Sequence, residues 1–301
     1  MDSRPTVLVV GAATRDVDDV DPRGWRLGGG VSYASLAAAR MGADVRALIG
    51  VEAEAAGASE LDVLRAAGVD VRPVPLTHGP VFLNQQTEQG RVQMLHQASD
   101  PIPATALPNE WRASPVVLLA PVASELGEDW ATAVATDAFV ALAWQGLLRY
   151  LNPGTPVTGL PLAISPLVTR ADALALSAED ATSGGPPMRE LLREGQRLLL
   201  THGGHGSAEL WLTAGQLRGH LMPPLPRREP LDTTGAGDVF FASWVVARSL
   251  HPHLAGPGDA RPLAVASAMA SLSLQTRSLA ELPERHKLCE ALVMLRGRQL
   301  R

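Results

Sequence analysis

The sequence predicts an α/β protein with three layers, a mainly parallel central sheet between two covering layers, and a small β lid. Three observations carry that prediction. Short β-branched runs alternate with longer alanine- and leucine-rich segments, the rhythm of strand–helix–strand units. Runs such as Val116-Val117-Leu118-Leu119 are apolar without interruption, so both faces of such a strand need cover. One polar stretch, Val81 to Gln97, breaks the pattern with alternating polar and apolar residues about Glu88-Gln89-Gly90, which reads as a hairpin at a sheet edge or over a site.

In chain order, Thr6 to Val10 reads as a buried strand stopped by Gly11, and Val31 to Met41 as a helix ended by Gly42. Asp44 to Gly50 is the next strand, and Glu60 to Ala67 a helix that ends at Gly68. Phe139 to Trp144 reads as a strand; Gln145 and Arg149 follow it, at the carboxyl end where sites form in such sheets. Pro153 to Pro161, Gly184 to Pro187 and the proline-rich Pro223 to Pro226 are loops. Val239 to Arg248 reads as a buried helix, and Ala264 to Leu274 as a small-residue helix suited either to an adenine wall or to plain core packing. The tail Arg296 to Arg301 reads as a solvated end. On these readings residues 1–301 form a single domain, with lid elements near 15–30 and 81–97.

Composition excludes more than it selects. Aromatic residues are only 4% of the chain, so alanine, leucine and valine are expected to fill the core. A net charge of −5 with no dense basic stretch argues against a nucleic-acid partner. Cys289 is the only cysteine, which excludes an internal disulfide and any multi-cysteine metal site. Lys287 is the only lysine and sits in none of the contexts required by a Walker loop, a protein kinase or a pyridoxal enzyme; those classes fall away. No run approaches the ~18 apolar residues of a membrane helix, and Val7 to Ala13 is short for a signal peptide. The expectation is a cytoplasmic protein with no membrane partner. His202 with His205, and His251 with His253, lack adjacent carboxylates and a shared helix face, so zinc is not expected.

Chemistry concentrates in Asp232-Thr233-Thr234-Gly235-Ala236-Gly237-Asp238, just ahead of the Val239 helix. Small residues let a ligand approach the backbone, and a helix start presents unpaired N–H groups and a positive dipole end. Such a nest binds anions without a lysine. A carboxylate at the same spot, Asp238, is awkward unless it has a proton to take. Base and anion nest together suit phosphoryl transfer to a hydroxyl. A dinucleotide fingerprint is a poor match, because the third glycine is missing and the motif comes late in the chain.

This stretch resembles the signature of the ribokinase-like, or PfkB-type, carbohydrate kinases. Three further elements are similar to that family and stand in its order: Asp16 shortly after Gly11, the Gly28-Gly29-Gly30 element running into Tyr33, and Thr201-His202-Gly203-Gly204-His205-Gly206. The resemblance implies Asp238 as catalytic base and an anion hole from Gly235, Ala236 and Gly237. It places Asp16, Gly28, Gly29 and Tyr33 at the acceptor, and Thr201, Gly203 and Gly206 at the nucleotide. Ser177 to Asp180 stands where the family organises Mg2+, with Asp180 and Glu179 as the carboxylates. Asp232 and Thr234 match the place where some relatives hold K+, although the later loop here reads Gln275-Thr276-Arg277-Ser278.

Tyr33 replaces an asparagine found in ribokinases, and the span from Asp16 to Gly28 is short for the usual lid. The implied activity is ATP- and Mg2+-dependent phosphorylation of a small polyol, a sugar or an inositol-like cyclitol. Asn84, Gln86, Arg91 and Gln93 on the hairpin could meet acceptor hydroxyls, with the inward set undetermined. A nucleoside kinase and a catalytically idle sugar or nucleotide sensor remain alternatives, and the chain is either a monomer or a homodimer.

Overall fold

The first strand runs further than its glycine suggests. In the computed structural model β1 (Thr6–Ala12) continues through Gly11, because a side chain there would collide with the Ala120 carbonyl. Gly11 permits a close approach of two strands; it does not end one. The structure describes residues 4–87, 90–225, 229–250 and 259–299. The His251-Pro252-His253 pair, the Glu88-Gln89 turn, Pro226 and the final Leu300-Arg301 lie outside them, as do the side chains of Gln86, Arg91, Arg296 and Arg298.

After β1 come β2 (Thr14–Val17), β3 (Trp25–Gly28), α1 (Gly30–Arg40), β4 (Asp44–Glu52), α2 (Ser59–Ala66), β5 (Asp70–Leu76), β6 (Val81–Thr87) and β7 (Gly90–Gln97). The middle of the chain supplies β8 (Val116–Leu119), β9 (Phe139–Ala143), β10 (Arg149–Tyr150), β11 (Thr158–Gly159), α3 (Pro166–Arg170), β12 (Ala173–Ser177), α4 (Ala178–Ala181) and α5 (Met188–Leu191). The last part holds β13 (Arg197–Thr201), β14 (Ser207–Thr213), β15 (Gln216–Met222), α6 (Ala236–Leu250), α7 (Arg261–Ser273) and α8 (Arg285–Gln299).

Among the described residues the central sheet has nine strands in the order β15-β14-β13-β12-β9-β8-β1-β4-β5. From β13 to β5 every neighbour pair is parallel, and only β14 and β15 run antiparallel. The alternation along each strand feeds two cores. Val7 and Val9 face one, Leu8 and Val10 the other, as do Val116 with Leu118 and Val117 with Leu119. Helices α1, α2, α6, α7 and α8 contribute to the first core. The second is covered by short helices and single 3-10 turns, with Trp111, Trp130 and Trp144 fully buried. The aromatic residues are few, yet these tryptophans and Trp244 are the largest fully buried side chains. Short covering turns leave deep spaces that aliphatic residues alone would fill poorly.

Strand order reverses at β1: β4 lies on one side and β8 on the other. Ligands bind such sheets beyond the carboxyl ends of the strands at this switch point. Here Glu125 pins the region. Its carboxylate is buried and accepts backbone N–H bonds from Ala12 (2.9 Å), Val122 (3.0 Å) and Ala123 (2.8 Å).

A second sheet, β3-β2-β6-β7, stands over that end, so the expected hairpin joins the short strands on either side of Asp18 to Gly24. Arg15 anchors it through an ion pair to Glu52 at 2.8 Å, and Gln97 donates to the same carboxylate at 3.1 Å. Outside β7, the 154–157 loop pairs with the edge, with Val157 N–H donating to the Gln93 carbonyl at 2.8 Å.

Candidate active site

Motifs about two hundred residues apart in sequence meet at the start of α6. Asp238 lies in its first turn, and its Oδ1 would be only 2.8 Å from a Cβ built on Gly30. Gly29 has φ +93° and its Cβ would strike the Ala12 carbonyl. Gly28 makes room for the Asp16 carboxylate. The three glycines therefore let strand β3 turn into α1 against two carboxylates, and Gly28 does so without lining the cavity itself.

Asp16, on β2, faces the same space and accepts a hydrogen bond from the Thr14 hydroxyl at 3.0 Å. Tyr33 is only 9% exposed, and its ring covers Gly235, where no Cβ would fit. Gly235 also has φ +72°, so both the conformation and the contact demand glycine. Burial, then the nearby charges of Asp16 and Asp232, push the Tyr33 phenol above its ordinary range. It stays a neutral hydrogen-bonding group.

These residues surround a polar cavity of about 500 Å³ that also takes in Gln93, Arg149, Glu179 and Gly237. The hairpin thus turns Phe82 and Gln93 inward, and Gln93 donates to its cross-strand neighbour Asn84 at 3.0 Å. Burial pushes the Asp238 carboxyl up to about 6, opposed by the charge of Arg149 and its own backbone N–H. Arg149 is itself held by the Val122 carbonyl at 3.1 Å.

A second cavity, of about 430 Å³, opens on the other side of Gly237. Thr201, Gly203, Gly206 and Ala236 line it, with Pro223, Pro224, Leu225, Ala270 and Leu274 as apolar walls. The Ala264–Leu274 segment has two faces: Ala266 and Met269 are buried in the core, while Ser267 and Ala270 face the cavity. The two cavities share Ser177, Glu179, Thr201, Thr233, Gly237 and Phe240.

The remaining expected residues divide. The Ala236 N–H is bonded back to the Thr233 carbonyl at 3.3 Å. Asp180 forms a capping box with Ser177: its carboxylate accepts from the Ser177 N–H (2.9 Å) and hydroxyl (2.6 Å) at the start of α4. Glu179 is exposed and faces both cavities. Asp232 accepts the Thr234 N–H at 2.8 Å and lines a third space of about 460 Å³ behind Tyr33. Among the described residues no cluster of three His, Cys, Asp or Glu has metal-binding geometry. Magnesium needs no such cage, because it keeps most of its waters and takes one or two carboxylates plus phosphates; Glu179 fits that demand. Glu125, Thr14 and Arg26 were not anticipated. Glu125 and Arg26 owe their positions to distant partners, Ala12 for the one and Asp232 with Arg277 for the other, whereas Thr14 bonds Asp16 two residues on.

Residues 168–285, which include the Asp232–Asp238 motif, match the sequence model of the pfkB family carbohydrate kinases. The chain's fold is ribokinase-like. Solved structures agree in fold along nearly the whole length. A pyrophosphate-dependent kinase of the ribokinase family, complexed with a pyrophosphate analog and myo-inositol, is 18% identical with a TM-score of 0.74, covering 95% of this chain and 99% of that one. A fructokinase with bound ATP from Xylella fastidiosa is 17% identical, TM-score 0.73, over 97% and 99%. An E. coli chain described as a ribokinase II, complexed with ATP and Mg2+, is 18% identical, TM-score 0.70, over 97% and 99%. No curated protein matches the sequence. Among the described residues of this ribokinase-like chain no helix is long and apolar enough to cross a membrane.

Proposed function

We propose that this chain transfers the γ-phosphoryl group of ATP to a hydroxyl of a small sugar or cyclitol, acting as a single domain with the second sheet as its lid. The observation that carries the reading is the meeting of two cavities across Gly237. One is polar and holds Asp238 and Asp16; the other has apolar walls. An acceptor in the first and a nucleotide in the second would bring hydroxyl and γ-phosphate together beside Asp238.

Asp16, with one oxygen fixed by Thr14, accepts hydrogen bonds from acceptor hydroxyls, and Gln93 offers an amide from the lid. Asp238 takes the proton of the attacking hydroxyl as the new O–P bond forms and the bond to the ADP oxygen breaks. A carboxyl lifted to about 6 is ionised at neutral pH and is a better proton acceptor than an ordinary aspartate. The N–H groups of Gly235 and Gly237 then receive the charge growing on the phosphoryl oxygens; the Ala236 amide, bonded to Thr233, stabilises the turn instead. Magnesium bound with the nucleotide supplies neutralising charge. Glu179 would hold it, and Asp180 shapes the turn that presents Glu179.

The apolar walls Pro223, Pro224 and Leu225 support a nucleotide over pyrophosphate as donor, since pyrophosphate has no surface to bury there. A cytoplasmic setting, with ATP and Mg2+ at hand, belongs to the same reading. The test is acceptor-dependent ADP release across sugars, inositols and nucleosides. Asp238→Asn should lose about 10²–10⁴-fold in turnover while ATP binding stays. Unchanged turnover in that variant overturns the base assignment. Preference for nucleosides would move the acceptor class, and ATP binding with no acceptor-dependent ADP would favour a sensor.

A further inference from the structure

The residues around Asp232 do not fit the K+ ion that the family resemblance implies. Its Oδ1 is engaged by the Thr234 N–H at 2.8 Å, and its Oδ2 faces Arg26 Nη2 at 3.6 Å. The same guanidinium donates through Nη1 to the Arg277 carbonyl, in the Gln275–Ser278 segment that would close such a site. Its Nε lies 2.5 Å from Asp18 Oδ2. An ion beside Asp232 would have to share its ligands with a side chain that is already positive.

Resting on the reading of the Asp232–Asp238 loop as a phosphate nest, we propose that Arg26 is the built-in cation of that loop and makes a monovalent ion unnecessary. Beside a carboxylate and a carbonyl from two segments, a bound ion supplies one positive charge and a bridge between them. Arg26 supplies both, because its planar fork carries the charge and presents several donors at once. The charge arrives on β3, a strand of the second sheet, whereas Asp232 and Arg277 belong to the main body. Asp18, on the turn between β2 and β3, aims the guanidinium. Its contacts therefore tie the sheet over the acceptor cavity to the segment that begins the phosphate nest. Arg26 is a positioning residue: it touches neither cavity lined by Asp238 nor the apolar one, and acts through Asp232.

The test reads binding of a non-hydrolysable ATP analogue with Mg2+ to the full chain, by calorimetry, in potassium, sodium and tetramethylammonium chloride at one ionic strength. The wild-type affinity should agree within about twofold across the three salts. Arg26→Ala should bind about tenfold more weakly in tetramethylammonium, the size of one charge-assisted hydrogen bond. Potassium should restore part of that loss, because removing the side chain frees Asp232 and the Arg277 carbonyl for a small cation. Arg26→Lys, which keeps a charge, should stay insensitive to the salt. Wild-type affinity that rises more than twofold with potassium overturns the proposal. So does an Arg26→Ala variant that binds as tightly as wild type, or one whose defect potassium leaves untouched. If Arg26→Ala does not fold, the wild-type salt series decides alone. The measurement needs no acceptor, so a chain that releases no acceptor-dependent ADP defeats the kinase reading without bearing on this one.

Discussion

Replacing Asp238 with asparagine should stabilise the protein at neutral pH. The carboxyl titrates near 3.8 when unburied, and burial lifts it to about 6 in the fold. A difference of about two pH units corresponds to about 3 kcal/mol. The folded state holds this proton more tightly than the unfolded state does. Stability from this group is therefore complete below about pH 4, drains away as the pH rises toward about 6, and is flat above. Asparagine has no such titration. Its amide oxygen can still accept from the backbone N–H, so the advantage should approach about 3 kcal/mol at about pH 8. Near pH 4 that advantage should disappear. Urea unfolding of both proteins across this range gives the difference directly, and other titrating groups cancel when they are unchanged between the two. A variant no more stable than wild type at about pH 8, or an advantage that persists undiminished in acid, would refute the claim that the ionised carboxylate is held against the cost of its burial.

Under the proposed reading the same carboxylate also governs the kinetics. Acceptor-dependent turnover should fall on the acid side with a midpoint near pH 6, and Arg149→Met should move that midpoint upward, because the positive charge that favours ionised Asp238 is gone. Equal acid limbs in the two proteins would count against the pairing. Gly30→Ala places a methyl group 2.8 Å from Asp238 Oδ1, so turnover should drop by about tenfold or more while affinity for an ATP analogue is kept; steady-state rates beside calorimetry separate the two. Glu179→Gln should raise the Mg2+ concentration needed for half-maximal ADP release several-fold, since the residue lies at the junction of the two cavities.

Much of the architecture is local and was therefore legible in the sequence. Apolar periodicity marked the strands and helices, Gly42 and Gly68 ended helices in left-handed conformations, and alternation marked the hairpin. The Asp232–Asp238 motif announced a helix start rich in small residues because capping and turn chemistry act within a few residues. Reading Gly11 as a strand stop failed for the opposite reason. What occupies the space beside a glycine is a remote segment, here the Ala120 carbonyl.

Side-chain partners had the same limit. The resemblance aligned Asp180 with the family's glutamate; the folded turn bonds Asp180 to Ser177, and although both carboxylates line the polar cavity only Glu179 also lines the apolar one. Trp111, Trp130 and Trp144 became core fillers because the layer above them is built of short turns. Glu125 and Arg26 acquired their roles from backbone groups and carboxylates brought in from other parts of the chain. Sequence alone determined the elements and the helix tip that can hold an anion, because both depend on interactions between neighbours along the chain. Tertiary structure decided which carboxylate stands beside Gly30 and which cation faces Asp232, because only packing brings segments so far apart in sequence within bonding distance.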